Sequence, residues 1–433
     1  MTYRPVVDQF VVPIPLDPLS AAIFVAAFVA AAVLTSRRPA LGLGALIVAT
    51  PIAFAHEILG ATITMQKTVL LGVLLGLTTY AGVTRRLRER PAPLLLGALG
   101  LYLIASALTL VDSAHPGATI RESFKTIEYA AFFVAAFCCY RLDSDDAPLV
   151  NAVAIAAIAV ALSALAQEIV GAPSGLYIGA AIVPRIAGLL EGPNQLSAYA
   201  EIAIAALGAW ALVRRTGLAD VALALIVCAD VLSFSRAGLF GLTIVAVMLG
   251  VVGGAAAWRA LRPGLLGLIV GLVGSASWAI YAHTPGVLRV SLQPSLYAGG
   301  VGNRAELWRA AYRMWRDRPI LGVGAGNFEI ELPNYGIFGV RTHANSWYLQ
   351  SLAEGGLVLF GATIALIAAI AAALARKPWL VQLRRGSPWI LAALAATIAL
   401  ALHQIVDYLV FYPKVGGAWW LLIGIAAAAR SRA

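Results

Sequence analysis

Charge is what this sequence has least of: Asp, Glu, Lys and Arg make up 12% of 433 residues, against 61% hydrophobic ones. A soluble chain carries about twice that charged fraction, so the scarcity excludes a water-soluble globular protein and points to lipid as the solvent. Cysteine is scarcer still. Cys138, Cys139 and Cys228 all lie inside apolar runs, two of them adjacent, which excludes a disulfide framework. No HExxH, CxxC or comparable ligand spacing occurs, so no metal and no cofactor is expected. The first apolar run, Leu19 to Leu34, ends in Thr35-Ser36-Arg37-Arg38 without a small-residue cleavage site. It reads as a retained span, not a removed signal peptide.

What the chain has instead is a succession of apolar runs near the roughly 20 residues needed to cross about 30 Å of hydrocarbon. They cover 19–36, 39–55, 67–84, 92–110, 121–140, 148–170, 195–213, 218–235, 237–257, 264–282, 346–375, 387–408 and 412–429. Lipid offers no water to an open backbone, so each run is expected to be a helix. The fold class expected is all-α, a polytopic transmembrane helical bundle of 12–13 spans forming one integral membrane domain over 1–433. The run 39–55, interrupted by Pro51 and followed by His56-Glu57, is the one that can be broken or re-entrant.

The net charge of +10 does not mean nucleic acid. Its basic residues cluster between apolar runs, at Arg37-Arg38, Arg85 to Arg90, Arg214-Arg215, Arg259 and Arg262, Arg376-Lys377, Arg384-Arg385, and Arg430 and Arg432. Such clusters mark cytoplasmic loops. Alternation back from Arg430 gives a cytoplasmic C-terminus and an extracytoplasmic N-terminus. Asp143-Ser144-Asp145-Asp146 has the look of a metal-binding DxD, but this order puts it on a short cytoplasmic loop as a solvated turn.

Two extracytoplasmic stretches are long, 171–194 and 282–345, and long ordered loops carry function more often than short ones. In the second, Gly302-Asn303-Arg304-Ala305-Glu306 opens a helix with Asn303 as cap and Glu306 completing an approximate capping box; the helix runs to Asp317, where Arg318-Pro319 stops it. Helical spacing puts Arg304 in one stripe with Trp308, Ala311 and Trp315, and Arg309, Arg313 and Arg316 on the other face. An arginine in an apolar stripe has to meet an anion, either an internal carboxylate or a ligand. Glycine-rich 322–327 lacks the Lys-Ser/Thr of a phosphate loop, and leaves open a backbone that approaches a substrate.

Thr342 is expected to cap the next span, which places His343 in its first turn. The positive helix end then keeps the imidazole neutral, able to act as a general base. Trp347 and Gln350 share its face at i+4 and i+7. The bland alternative is an interfacial histidine. Arg236 in the tight Ser235-Arg236-Ala237-Gly238 tip, Arg185, Asn194, Lys67, Arg121 and Lys125 fall on the same side. Singly, each cation reads as snorkelling to headgroups; jointly they form a cationic site for a phosphate-bearing lipid. Glu168, Glu201, Asp230 and Asp407 lie near outer span ends, where Asp230 can pair with Arg236.

The succession SRAG, GNRAELWRAAYRMWRDRPILGVGAGNF and THANSWYLQSLAEGGL, with PRIAGLLEGPN before it, resembles the O-antigen ligase/polymerase superfamily. The motifs cover roughly 180–360. The resemblance implies a GT-C-like glycosyltransferase whose donor is an undecaprenyl-diphosphate-linked glycan. O-antigen ligases pass that glycan to lipid A–core oligosaccharide on the periplasmic face of the bacterial inner membrane. By this resemblance His343 corresponds to the essential histidine, and Arg304 and Arg236 to important arginines. Arg185, Asn194, Arg341, Asn345, Trp347, Gln350, Lys67 and Lys125 are expected around the substrate. Many relatives have His-Asn directly, whereas this chain has His343-Ala344-Asn345. An O-antigen polymerase uses the same donor and stays open, as does, from another class, a lipid-linked glycan transporter.

Overall fold

The computed structural model describes residues 12–430 apart from 16, 53, 59–60, 85–92, 173, 179–180, 282–303, 340–341 and 376–386. The chain is an all-α polytopic membrane protein. Among the described residues, ten helices precede the long loop: α1 Pro18–Arg37, α2 Pro39–Ala49, α3 Met65–Thr84, α4 Pro93–Leu108, α5 Pro116–Leu142, α6 Asp146–Val170, α7 Pro193–Val213, α8 Gly217–Leu232, α9 Arg236–Gly253 and α10 Ala255–Tyr281. Within the loop are α11 Arg304–Asp317 and the short α12 Phe328–Glu331, and three long helices follow, α13 Trp347–Leu374, α14 Pro388–His403 and α15 Pro413–Arg430.

Every apolar run read from the sequence meets one of these helices. Six of them, α1, α6, α7, α9, α10 and α13, are long and apolar enough to cross a membrane, while α2, α4 and α14 are apolar but shorter. At 11 residues α2 is about 16 Å long, too short for a crossing. The chain after it forms strand β2, Phe54–Ile58, which holds His56 and Glu57. Seven of the long helices open on proline, whose missing N–H would be unsatisfied at that position in any residue.

Small residues set the packing, as expected where lipid provides no hydrophobic drive between helices. A side chain at Gly72 or Gly76 of α3 would lie within 2.4–2.5 Å of the carbonyls of Phe28 and Ala32, so α1 and α3 touch through their backbones. Helix α7 is buried over nearly its whole length and forms the axis of the bundle; α1 and α10 are mostly outward-facing.

Among the described residues, two small sheets lie mostly where the sequence suggested loop, the first also taking Phe54 and Ala55 from the expected span 39–55. Strands β1 Val12–Pro13, β2 and β3 Ala61–Thr64 form one, and β4 Ser174–Ile178 pairs antiparallel with β5 Ala181–Arg185 in the other. The second hairpin occupies the 171–194 loop and delivers Arg185 at its end, opposite Ser174.

The acidic loop 143–146 is a clasp between helices. Asp145 pairs with Arg38 at 2.8 Å and caps α6 at the Ala147 N–H. Asp146 accepts from Tyr140 and Trp389, and Asp143 from the Ala40 N–H.

Helix α11 ends at Asp317 as expected, while Asn303 lies outside the described residues. Its packed face differs from the expected one. Leu307, Ala310, Ala311 and Met314 are buried against α13 and the loop, so the buried stripe is rotated from Arg304, which is exposed. The true stripe follows Leu307 and Met314, not the two half-buried tryptophans.

Glycine-rich 322–326 closes a break in a transmembrane helix. At Gly356, with φ +57° and ψ −154°, α13 leaves helical geometry. The carbonyls freed before the break, of Ala353 and Glu354, accept from the N–H groups of Val323 and Gly324 at 3.0 and 2.9 Å. The N–H groups freed after it, of Leu357 and Val358, donate to the carbonyls of Pro319 and Ile320. Irregular backbone at membrane depth is tolerated only when paired in this way. Those N–H groups are engaged by the helix, so the expectation that they approach a substrate fails.

Candidate active site

Hydrogen bonds tie four loops at one end of the bundle into a single frame. Arg185 donates from Nε to the Ser233 carbonyl and from Nη2 to Asn194 Oδ1, both at 2.8 Å. Asn194 Nδ2 donates to Asp407 Oδ2 at 2.6 Å. Asp407, in the loop between α14 and α15, also takes the Trp347 N–H on its backbone carbonyl at 2.9 Å. The hairpin, the start of α7, the turn between α8 and α9 and the start of α13 are thereby joined, three of them directly or through Asn194 to the loop of Asp407.

The turn that this frame holds carries Arg236. Between α8 and α9 only Ser233, Phe234 and Ser235 are available, and Phe234 takes φ +54°, strained for a bulky residue. Ser235 caps α9 by accepting from the Gly238 N–H, which leaves Arg236 as the first helical residue. A side chain at Gly238 would collide with Ser197, and one at Gly241 with the Glu201 carboxylate. Glycine at those two positions lets α9 close onto α7. Asp230 bonds Ser197 and not Arg236, a correction that follows from Asp230 facing α7 inside the bundle.

Arg304 reaches the same place from α11. Arg185 feels both Arg304 and Arg236, Arg236 feels Arg304, and His343 feels Arg304. Burial pushes the Arg185 guanidinium down to about 10; Asp407 opposes the shift, and the two other arginines add to it. Arg185, Arg236 and Arg304 thus act on one another at this end of the bundle, with Asp407 bearing on Arg185 and His343, an arrangement that suits an added anionic group.

His343 is buried beside this cluster, but not on the helix. Helix α13 starts at Trp347 with Ser346 as its cap, so His343 precedes it and the helix dipole is not what keeps the ring neutral. Burial does that: it pushes the imidazole below its ordinary range, Asp407 opposes, and Arg304 and Lys125 add to the shift. The Asn345 N–H donates to Nδ1 at 3.1 Å, made possible by φ +49° at Asn345. A ring nitrogen that accepts carries no proton, so the neutral tautomer is Nε2–H, and Nε2 donates to the Tyr412 hydroxyl at 3.0 Å.

The other expected site residues divide. Asn345 contributes its backbone to His343. Lys125 lies 2.6 Å from Glu122 and over the ring of Phe411, which itself contacts His343. Lys67 pairs with Glu128 at 3.4 Å, one residue removed from this group. Trp347 is packed edge-on against Trp419 in the core. Gln350 accepts from the Ala344 N–H at 2.7 Å and donates to Glu354, which braces the His343 turn from below. Both were expected to face substrate; both are buried and held by contacts within the protein. Arg341 lies outside the described residues.

Tyr412 and the role of Asp407 were missed. A polar and aromatic run, Asp407-Tyr408-Leu409-Val410-Phe411-Tyr412, across the junction of the last two spans is the signal that could have found them.

No curated protein matches the chain. Residues 221–364 match the family model described as O-antigen ligase, about a third of the chain, reaching from α8 into α13. Arg185, Asn194, Asp407 and Tyr412 lie outside that segment. The segment similar to that family holds the turn of Arg236, the helix of Arg304 and the loop of His343.

Proposed function

We propose that this protein is an O-antigen ligase: it moves a glycan from undecaprenyl diphosphate to a hydroxyl of lipid A–core oligosaccharide on the periplasmic face of the inner membrane. The family match supports a glycosyl-transfer role in O-antigen processing. The observation that carries the finer reading is the convergence of Arg185, Arg236 and Arg304 beside a neutral, buried His343 at one end of the bundle.

In this reaction the acceptor O–H proton passes to His343 as the new glycosidic bond forms at the anomeric carbon. The bond to the carrier diphosphate breaks, and that group leaves as an anion. Arg236 and Arg304 are aimed where its charge grows, and such stabilisation needs no reorganisation at the moment of transfer. The lone pair at Nδ1 is held by the Asn345 N–H in the resting ring, so the base becomes available when that loop contact opens. Arg185 holds the frame behind Arg236.

Arg309, Arg313 and Arg316 are exposed on α11, a basic face suited to the phosphates of lipid A–core. This supports a ligase over a polymerase, whose acceptor offers that face less charge. A broken helix such as α13 is a feature of transporters. Here its freed backbone groups are paired by 319–324, and lining a substrate path is not their task.

Reconstitution with purified lipid-linked glycan and lipid A–core tests the proposal. Glycan on lipid A–core is the expected product. Chain growth on the carrier alone makes the protein a polymerase, and movement of donor between leaflets without transfer makes it a transporter.

A further inference from the structure

Inside the bundle, α7 is tied to two other helices by polar side chains. Ser197 and Glu201 stand four residues apart on it and so share one face. Ser197 Oγ donates to Asp230 Oδ1 of α8, and His403 Nδ1, at the end of α14, donates to Glu201 Oε1 at 2.6 Å. All four side chains are buried. Carboxylates and an imidazole are costly within a lipid-enclosed bundle, and groups kept there at that cost are candidates for function. Helix α9 seats on the same face of α7, with Gly238 against Ser197 and Gly241 against the Glu201 carboxylate. Arg236 is the first residue of that helix. From the other side, α14 packs on both α7 and α9. Just past His403, the carbonyls of Gln404 and Asp407 take the Trp347 N–H, and the Asp407 carboxylate takes Asn194.

We propose that Glu201 and His403 are positioning residues: their contact sets the seat of α9 on α7 and, through it, the reach of Arg236. The inference rests on the donor role read for Arg236 and names what aims it. Both residues act through α9 and not on the diphosphate itself. Glycine at 241 brings the α9 backbone against the carboxylate, so a shift of Glu201 passes to α9 with no side chain between them to absorb it. Replacing a buried ionic pair by apolar residues of similar volume is often neutral in stability. The placement of Arg236 and the stability of the fold are therefore separable by measurement.

The test is a cycle of variants in full-length protein in nanodiscs, titrated with undecaprenyl diphosphate. Glu201→Leu with His403→Leu is expected to keep the unfolding midpoint near that of wild type and to weaken binding about tenfold. In an Arg236→Ala background the same two substitutions are expected to weaken it no further, because they act through that arginine. Gly241→Ala pushes α9 from the Glu201 carboxylate and should show the same dependence on Arg236, from the other helix. Glu201→Gln keeps an acceptor for His403 Nδ1 and should bind as wild type does. Equal weakening with and without Arg236 overturns the proposal, since the pair is then a general support of the fold. Wild-type affinity in both the leucine pair and Gly241→Ala also overturns it; Arg236→Ala alone then still binds poorly, and the ligase reading stands. Arg236→Ala that binds like wild type overturns the donor role of that arginine and this inference with it.

Discussion

His343 and Tyr412 face each other across 3.0 Å, Nε2 to hydroxyl, where the loop before α13 meets the loop before α15. Burial keeps this imidazole below its ordinary range, near 6.5 in water. A ring with a lowered value stays neutral at pH 7 and charges only as pH falls below that range. Transfer should therefore be flat around neutrality and lose rate on the acid side. The same group favours the folded state above about 6.5, an advantage lost as pH falls through the lowered value. Tyr412→Phe removes the acceptor of Nε2–H, which destabilises imidazolium further. Its acid limb should move to lower pH, at a stability cost of about 1 kcal/mol. An acid limb moved upward would contradict the assigned tautomer.

Asn194 bonds both Arg185 and Asp407, and we propose that it serves as a strut rather than a substrate ligand. Asn194→Ala leaves both partners without their bond, which should lower stability by about 1–3 kcal/mol. The check is an unfolding midpoint together with donor binding per folded molecule. The account expects the midpoint to fall and binding to be largely kept. The reverse outcome makes Asn194 a ligand.

The splice across α13 makes two glycines irreplaceable. Gly322 has φ +65° and an added side chain would lie 2.3 Å from the Glu354 backbone; for Gly356, at φ +57°, the Ile320 backbone lies 2.4 Å away. Gly336 also has positive φ, at +85°, but open space around it. Alanine at 322 or 356 should cost clearly more stability than alanine at 336, where strain of about 1 kcal/mol acts alone. Equal effects at the three positions would show that backbone contact at the break is unimportant.

Arginines fill the place of a cation in the proposed chemistry. Transfer should survive thorough chelation with EDTA. Activity lost to EDTA and restored by Mg²⁺ or Mn²⁺ would mean that a ligand set exists which the described residues do not reveal.

The helices were legible because each long apolar run has one answer in lipid. The end of α11 at Asp317 was legible because Arg318-Pro319 stops a helix wherever it occurs. Arg236, Arg304 and His343 could be gathered on one side by charge alternation and motif. Their supports could not. Gln350 and Trp347 have the spacing of a shared face with His343, but the start of α13 was misjudged by four residues, and that shift turns both inward. Asp407 and Tyr412 reach the site through bonds to residues 213 and 69 positions away, distances over which local pattern carries no information.

In the proposed reaction His343 acts on the acceptor while Arg236 and Arg304 act on the donor diphosphate. Single-turnover transfer and donor affinity, measured together in His343→Ala, Arg236→Ala and Arg304→Ala, separate the two roles. His343→Ala is expected to abolish transfer and to bind donor nearly as wild type does. The two arginine variants should lose donor affinity by about tenfold or more each. Equal loss of donor affinity in all three variants, or transfer retained without His343, would contradict that division.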